Sequence, residues 1–396
     1  MADVLHLVEF QMSFLLFVAL AGYLLASRVN QSVVVAEILI GVVVGPSVLG
    51  LITYTDFVGN MAHLGAVFLL FVVGMEFRFE DIVKPRYLLI AAVGVVLPWG
   101  MGFATSLLFH YPYATSVFVG TALTATSIAI TANILKEMGK LNSSPARAII
   151  GAAVIDDVLG LIALTISKGL VSSSFSFGVL ALTIGKVFLF LGVGGALGLF
   201  GFRRLLSLID QAKFTKRYPE VTFIFSTMIA FLYAVAAEVM GLSAIVGAFI
   251  AGVSLGGVKL RHGRDHLQGS ESLQIIFASI FFVSLGVLVD VRALQPHVLI
   301  FLSVLTIVAF VSKIVGCGGI ALLSGSKVKE ASIIGIGMAP RGEVAMIIAL
   351  IGLDSKLITQ DIYVAIILMS LLTTVATPVF LRLLLAEKRA AIRSAQ

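Results

Sequence analysis

Apolar runs long enough to cross a bilayer recur along this 396-residue chain, separated by short connections that carry charge, Pro or Gly. A helix needs about 20 apolar residues to span the hydrocarbon. In lipid every backbone N–H and C=O has to be satisfied inside the protein, which leaves helices and closed β-barrels. A barrel strand would alternate apolar and polar residues over about ten positions, and stretches such as 33–44 and 300–311 do not alternate. Composition agrees: 59% of residues are hydrophobic and 12% charged, with a mean hydropathy of +1.11, against about 25% charged residues in soluble domains. The expected fold class is an all-α membrane protein. Residues 6–26 lack a basic flank ahead of them and read as a retained first span, not a cleaved signal peptide. Cys317 is the single cysteine, which excludes an internal disulfide and reads as an inert small residue in a helix.

Thirteen transmembrane helices are expected, centred near Leu16, Gly41, Leu69, Val96, Thr124, Val158, Gly192, Ala230, Phe249, Phe281, Ala309, Gly342 and Leu372. Of the 27 Lys and Arg, 21 fall in the odd-numbered connections and the C-terminal end, and only Lys168, Arg292 and Lys356 fall on the other side. The positive-inside rule then puts the N-terminus outside and the C-terminus inside, and the protein in the cytoplasmic membrane as a multi-pass component of the lipid bilayer. Because the basic residues are spread over short loops, the net charge of +6 reads as topology and not as a nucleic-acid surface.

Span three, Leu69-Leu-Phe-Val-Val-Gly-Met-Glu-Phe-Arg78, and span ten, Ile280-Phe-Phe-Val-Ser-Leu-Gly-Val-Leu-Val-Asp-Val-Arg292, both pass from an aromatic and apolar core through Gly to an acidic and then a basic residue. With span seven as a linker, spans one to six correspond to spans eight to thirteen. A separation of seven spans makes this an inverted-topology repeat, the architecture of many secondary transporters. Two broken, crossing helices are expected at matching places. Span five carries Thr121-Ala-Leu-Thr-Ala-Thr-Ser-Ile-Ala-Ile-Thr131, whose hydroxyls, among them Thr126, Ser127 and Thr131, can satisfy an unwound backbone. Span twelve carries Gly335-Ile-Gly-Met-Ala-Pro-Arg-Gly-Glu343, where Pro340 removes a donor and Arg341 and Glu343 flank Gly342.

Asp156 and Asp157 stand together in an otherwise uncharged stretch, 148–167. A carboxylate at the centre of a membrane helix costs about 2.5 to 3.5 kcal/mol on insertion scales and marks an ion or proton pathway by default. Neighbours on a helix point about 100° apart, so the two cannot share a proton face to face. One can face a cavity open to cations while the other meets a buried base, for which Lys313 is the candidate. The bland alternative is a permanent Lys–Asp bridge that only holds helices together. A hard monovalent cation wants oxygen ligands, which one Asp with Thr126, Ser127 and freed carbonyls would supply. The six histidines fall at loops or span ends, and no His/Cys cluster calls for a transition metal. Glu37 reads either as lining an interface or entry funnel or as a solvated carboxylate at a span end. The Gly41-x-x-x-Gly45, Gly194-x-x-x-Gly198 and Gly252-x-x-x-Gly256 patterns read as close packing within the chain.

The segment 121–131, the run Gly151-Ala-Ala-Val-Ile-Asp-Asp-Val-Leu-Gly160 and the run Gly337-Met-Ala-Pro-Arg-Gly-Glu-Val344 together resemble the monovalent cation:proton antiporter superfamily, second branch, close to the NapA-type sodium/proton antiporters. That resemblance covers nearly the whole chain. It implies a core of spans four to six and eleven to thirteen, about 87–170 and 297–385; a dimerisation side about 5–80 and 221–290; and a linker helix about 178–203. It also implies a homodimer working by an elevator-like movement. By position Asp157 resembles the cation and proton carrier, so that Asp157 and Asp156 would be the sodium site, and Asp156 resembles the partner of Lys313. The two-Asp form is associated with two protons per sodium. Potassium-efflux relatives carry a Gln-Asp pair, which this chain lacks.

The function expected is exchange of Na+ or Li+ for H+, serving pH homeostasis, with no enzymatic step and no cofactor. The alternatives are K+/H+ exchange on the same fold, a sodium-coupled symporter, or a channel-like protein.

Overall fold

The computed structural model describes residues 7–29, 32–82, 84–171, 176–258, 264–290, 292, 296 and 298–386, and among these there are helices and no strands. We number fifteen helices: α1 (Val8–Val29), α2 (Val33–Val44), α3 (Asp56–Met75), α4 (Pro85–Leu108), α5 (Tyr113–Thr124), α6 (Ile128–Glu137), α7 (Ser144–Val171), α8 (Phe177–Gln211), α9 (Glu220–Val239), α10 (Ala244–Leu255), α11 (Arg264–Val287), α12 (Val298–Leu323), α13 (Val328–Gly337), α14 (Glu343–Asp354) and α15 (Gln360–Ala386). Among the described residues, ten helices are long and apolar enough to cross a membrane, counting α5 and α6 as one. Three shorter apolar helices, Val33–Val44, Ala244–Leu255 and Val344–Asp354, accompany them.

Packing sorts these helices into two groups. In the first, α3 packs on α10 and α11, α2 packs on α1 and α11, and α9 packs on α10 and α11. In the second, α4 packs on α5, α7 and α12, while α15 packs on α12, α13 and α14. Helix α8 touches α7 of one group and α10 of the other. The close approaches in the first group depend on glycine: a Cβ on Gly41 of α2 would overlap the Val283 carbonyl of α11, and one on Gly252 of α10 would overlap the Phe71 carbonyl of α3. Both glycines therefore serve contacts within the chain, as the small-residue spacing suggests. Large apolar side chains such as Phe17, Phe200 and Ile300 face outward, which suits a surface solvated by lipid tails.

Two helices stop inside the bundle and restart. Between α5 and α6 the chain passes through Ala125-Thr126-Ser127, with Ala125 at ψ 142° and Ser127 at ψ 109°. Between α13 and α14 it passes through 338–342, where Pro340 has no N–H for a helical bond. The freed groups of one break satisfy the other. Ser127 N–H donates to the Pro340 carbonyl at 2.9 Å, Thr131 Oγ1 to the Gly337 carbonyl at 2.7 Å, and Thr126 Oγ1 to the Met338 carbonyl at 3.4 Å. Backbone irregularity at this depth is tolerated because protein surrounds it.

Candidate functional site

Asp156 and Asp157 lie midway along α7, and the helical turn of about 100° per residue separates their surroundings. Asp156 is 1% exposed and turns toward α12. There Lys313, 0% exposed, donates from Nζ to Asp156 Oδ1 at 2.9 Å. Lys313 stands at the mouth of a π-helical turn, Ile314–Gly318, a widening that often accompanies functional positions. Asp156 Oδ2 is buried without a hydrogen-bond partner, and the nearby Thr126 hydroxyl donates to the Met338 carbonyl instead.

Asp157 points the other way, into a cavity of about 490 Å3 in the seam between the two packing groups. Ala62, Ala66 and Leu285 line one wall, Val344, Ile348 and Ile367 the other. The mouth carries Tyr54, His63 and Glu238, and the half-exposed His63 and Glu238 side chains stand 3.7 Å apart. An acidic group thus lines a largely apolar cavity that reaches the half-exposed His63 and Glu238.

The break residues hold the floor of this arrangement. Arg341 is fully buried and spends its guanidinium on carbonyls, Nη1 donating to Ala339 at 2.9 Å and to Met338 at 3.5 Å, and Nη2 to Ala309 of α12 at 3.0 Å. A cation beside the unpaired carbonyl end of a half-helix is favourably placed. Ser127 Oγ is buried with no hydrogen-bond partner, and a Cβ on Gly342 would lie 2.7 Å from it, so Gly342 leaves the hydroxyl its room. Glu343 opens α14, and its side chain lies outside the described residues.

Several participants have no clear mark in the sequence. On α15, Thr374 Oγ1 donates to the Arg341 carbonyl at 2.6 Å and Thr373 Oγ1 accepts from Arg341 N–H at 3.3 Å. Their hydroxyls could have been flagged by the same reasoning used for span five. Gly94 of α4 carries no such signal: a Cβ there would lie 2.5 Å from Cys317 Sγ, 3.7 Å from Lys313 Nζ and 3.8 Å from Asp156 Oδ1. We expect Gly94→Ala to lower the thermal midpoint by overpacking, a cost of about 1 to 3 kcal/mol. Adding Cys317→Ala should restore much of it, because the two sites share one space. A G94A midpoint equal to that of the wild type in a thermal-shift assay would rule out this crowding. Glu37 is 1% exposed, so its reading as a solvated span-end carboxylate is corrected: α1 and α11 close over it.

A family model described as "Sodium/hydrogen exchanger, transmembrane" matches residues 15–387. The chain belongs to the sodium/hydrogen exchanger family. This exchanger-family chain is 30% identical over 384 residues to the Na(+)/H(+)-K(+) antiporter GerN of Bacillus cereus, covering 96% of this chain and 97% of GerN. It is 33% identical over 342 residues to the high-affinity Na(+)/H(+) antiporter NhaS3 of Synechocystis, covering 83% of this chain and 71% of NhaS3. The solved structure of the sodium proton antiporter MjNhaP1 from Methanocaldococcus jannaschii superposes with a TM-score of 0.70 at 17% identity, over 96% of this chain and 99% of that one. At that identity the likeness speaks for the fold alone. The exchanger is a multi-pass membrane protein, and the relatives are named as transporters, not enzymes.

Proposed function

We propose that the protein is a secondary antiporter that exchanges Na+ or Li+ for H+ across the cytoplasmic membrane, of the NapA type. The observation that carries this reading is the split environment of one carboxylate pair: Asp157 lines the cavity and Asp156 is bonded to Lys313. Asp157 binds either a proton or a cation, never both, so the gradient of one drives the other through competition for one site. Thr126, Ser127 and the carbonyls freed at the breaks supply neutral oxygens for a hard cation. When the cation recruits Asp156 as a second ligand, Lys313 loses its counter-charge and releases its own proton. Two protons then leave per sodium, and the exchange is electrogenic.

The same reading takes thirteen spans with the N-terminus outside, an inverted repeat, and a homodimer formed through α1–α3 and α9–α11. The group holding α4–α7 and α12–α15 would slide past that scaffold, with α8 as the link. Support comes from the two packing groups, the cavity in the seam between them, and the family. Purified protein in proteoliposomes with an imposed pH gradient should dissipate the gradient when Na+ or Li+ is added. An inside-positive potential should speed sodium uptake, because two charges leave for each one that enters. Indifference to voltage would overturn the two-proton stoichiometry, and indifference to every alkali cation would overturn antiport itself. Potassium is the second reading, favoured by the likeness to GerN, and the order of Na+, Li+ and K+ in the same assay decides between them.

A further inference from the structure

At the end of the bundle away from the Asp157 cavity, where α2 begins and α6 ends, polar side chains close the seam between the two packing groups. Ser32, just before α2, donates from Oγ to Glu137 Oε2 at 2.8 Å, and Arg382 of α15 reaches the same oxygen at 3.5 Å. Asn133 donates to Glu137 Oε1 at 3.3 Å. Beside them Lys136 of α6 bonds Gln274 and Glu271 of α11 at 2.8 and 3.3 Å. Glu76, at the end of α3, faces Lys136 and Glu271; burial pushes its carboxyl up, Lys136 draws it down and Glu271 pushes it up again.

Behind this layer lies Glu37, one turn into α2. Gly22 of α1 leaves it room, since a Cβ there would stand 2.9 Å from Glu37 Cγ. Ser279 of α11 hydrogen-bonds the carboxyl, Oε1 has no hydrogen-bond partner, and no cationic group stands within ion-pair distance among the described residues. Its charged or titratable neighbours are Tyr23 of α1 and Glu137 of α6, neither of which offers a positive charge, with Arg382 and Lys136 engaged by Glu137 and by α11. An ionised carboxylate here would be a buried anion without a counter-ion, whereas the acid needs only a neutral hydrogen-bonding partner.

We infer that Glu37 is a second proton-binding site, separate from the Asp156/Asp157 pair, that holds a proton while this seam is closed. Glu37 lies in the α1–α3 and α9–α11 group and Glu137 on α6, which the proposed function places with the moving group, so on that reading a negative charge on Glu37 would set two carboxylates against each other across the seam. Loss of the proton therefore favours parting of the groups at this end, and proton occupancy links the pH on this side to the movement.

The test reads the proton directly and does not depend on which cation is exchanged, so it survives a failure of the sodium assignment. Infrared difference spectra of the full-length protein in lipid nanodiscs, titrated from acid to alkaline pH in H2O and D2O, should show a carboxylic C=O band that persists after exposed carboxyls have ionised. The band should vanish in Glu37→Gln and remain in Asp157→Asn. In Ser279→Ala, which keeps the carboxyl and removes its hydroxyl partner, it should shift to the frequency of a less hydrogen-bonded acid. A band unchanged in E37Q, or a S279A band that coincides with the wild type, overturns the inference.

Discussion

Asp157→Asn is expected to reduce sodium-driven proton movement in proteoliposomes to the level of protein-free vesicles. The amide preserves size and leaves the Asp156–Lys313 contact in place, so the fold should survive, and a normal elution profile with an unchanged thermal midpoint would verify that. What disappears is the only chemistry an antiporter needs at that position: a group that is anionic when it holds a cation and neutral when it holds a proton. Asn carries neither a titratable proton nor a charge, and a cation entering a largely apolar cavity without a counter-charge meets the full cost of burying an unpaired ion. The loss should appear at every pH and every sodium concentration, because it removes the alternation itself. Sodium-dependent exchange persisting in D157N, even weakly but saturably, would mean that another carboxylate carries the ion.

The second large effect concerns stability. Removing one member of a buried ion pair costs about 3 to 5 kcal/mol because the other is left as an uncompensated charge, whereas replacing both is often close to neutral. Lys313 and Asp156 are both fully enclosed and 2.9 Å apart. Lys313→Met should therefore lower the thermal midpoint sharply, and the double variant Asp156→Asn, Lys313→Met should recover most of the loss. The double variant also separates holding from transporting. If the pair acts only as a brace, it should keep voltage-dependent exchange. On the two-proton reading it should exchange one proton per sodium and become indifferent to membrane potential.

Helical class and membrane setting follow from the apolar runs, since lipid leaves the backbone no other donor or acceptor. Both interruptions were also legible: Pro340 cannot donate, and hydroxyls cluster at 121–131 where α5 gives way to α6. Helical geometry alone separates the surroundings of Asp156 and Asp157. No local pattern marks the places where residues distant in sequence meet. Nothing in the sequence sets Gly94 apart from other span glycines, yet it makes the space in which Asp156, Lys313 and Cys317 converge. Thr373 and Thr374 stand apart from other hydroxyls in the spans only because Arg341 lies between them and α12. Glu37 could be read as solvated because span ends usually are, and only the cover of α1 and α11 excludes it.

By itself the sequence determined the solvent, the helical class, the places where helices break and the residues whose charge is too costly in lipid to be incidental. These are local or compositional properties, set by the chain's own periodicity and by the expense of a bare carboxylate in hydrocarbon. The residues alone left open which carboxylate meets Lys313, a choice made at first only by resemblance; the tertiary structure supplied its geometry and decided which glycine makes the room and which carboxyl lies sealed at the opposite end of the seam. Those outcomes depend on which helix faces fill which neighbours, and packing at near-crystalline density couples positions more than 100 residues apart that no local pattern connects.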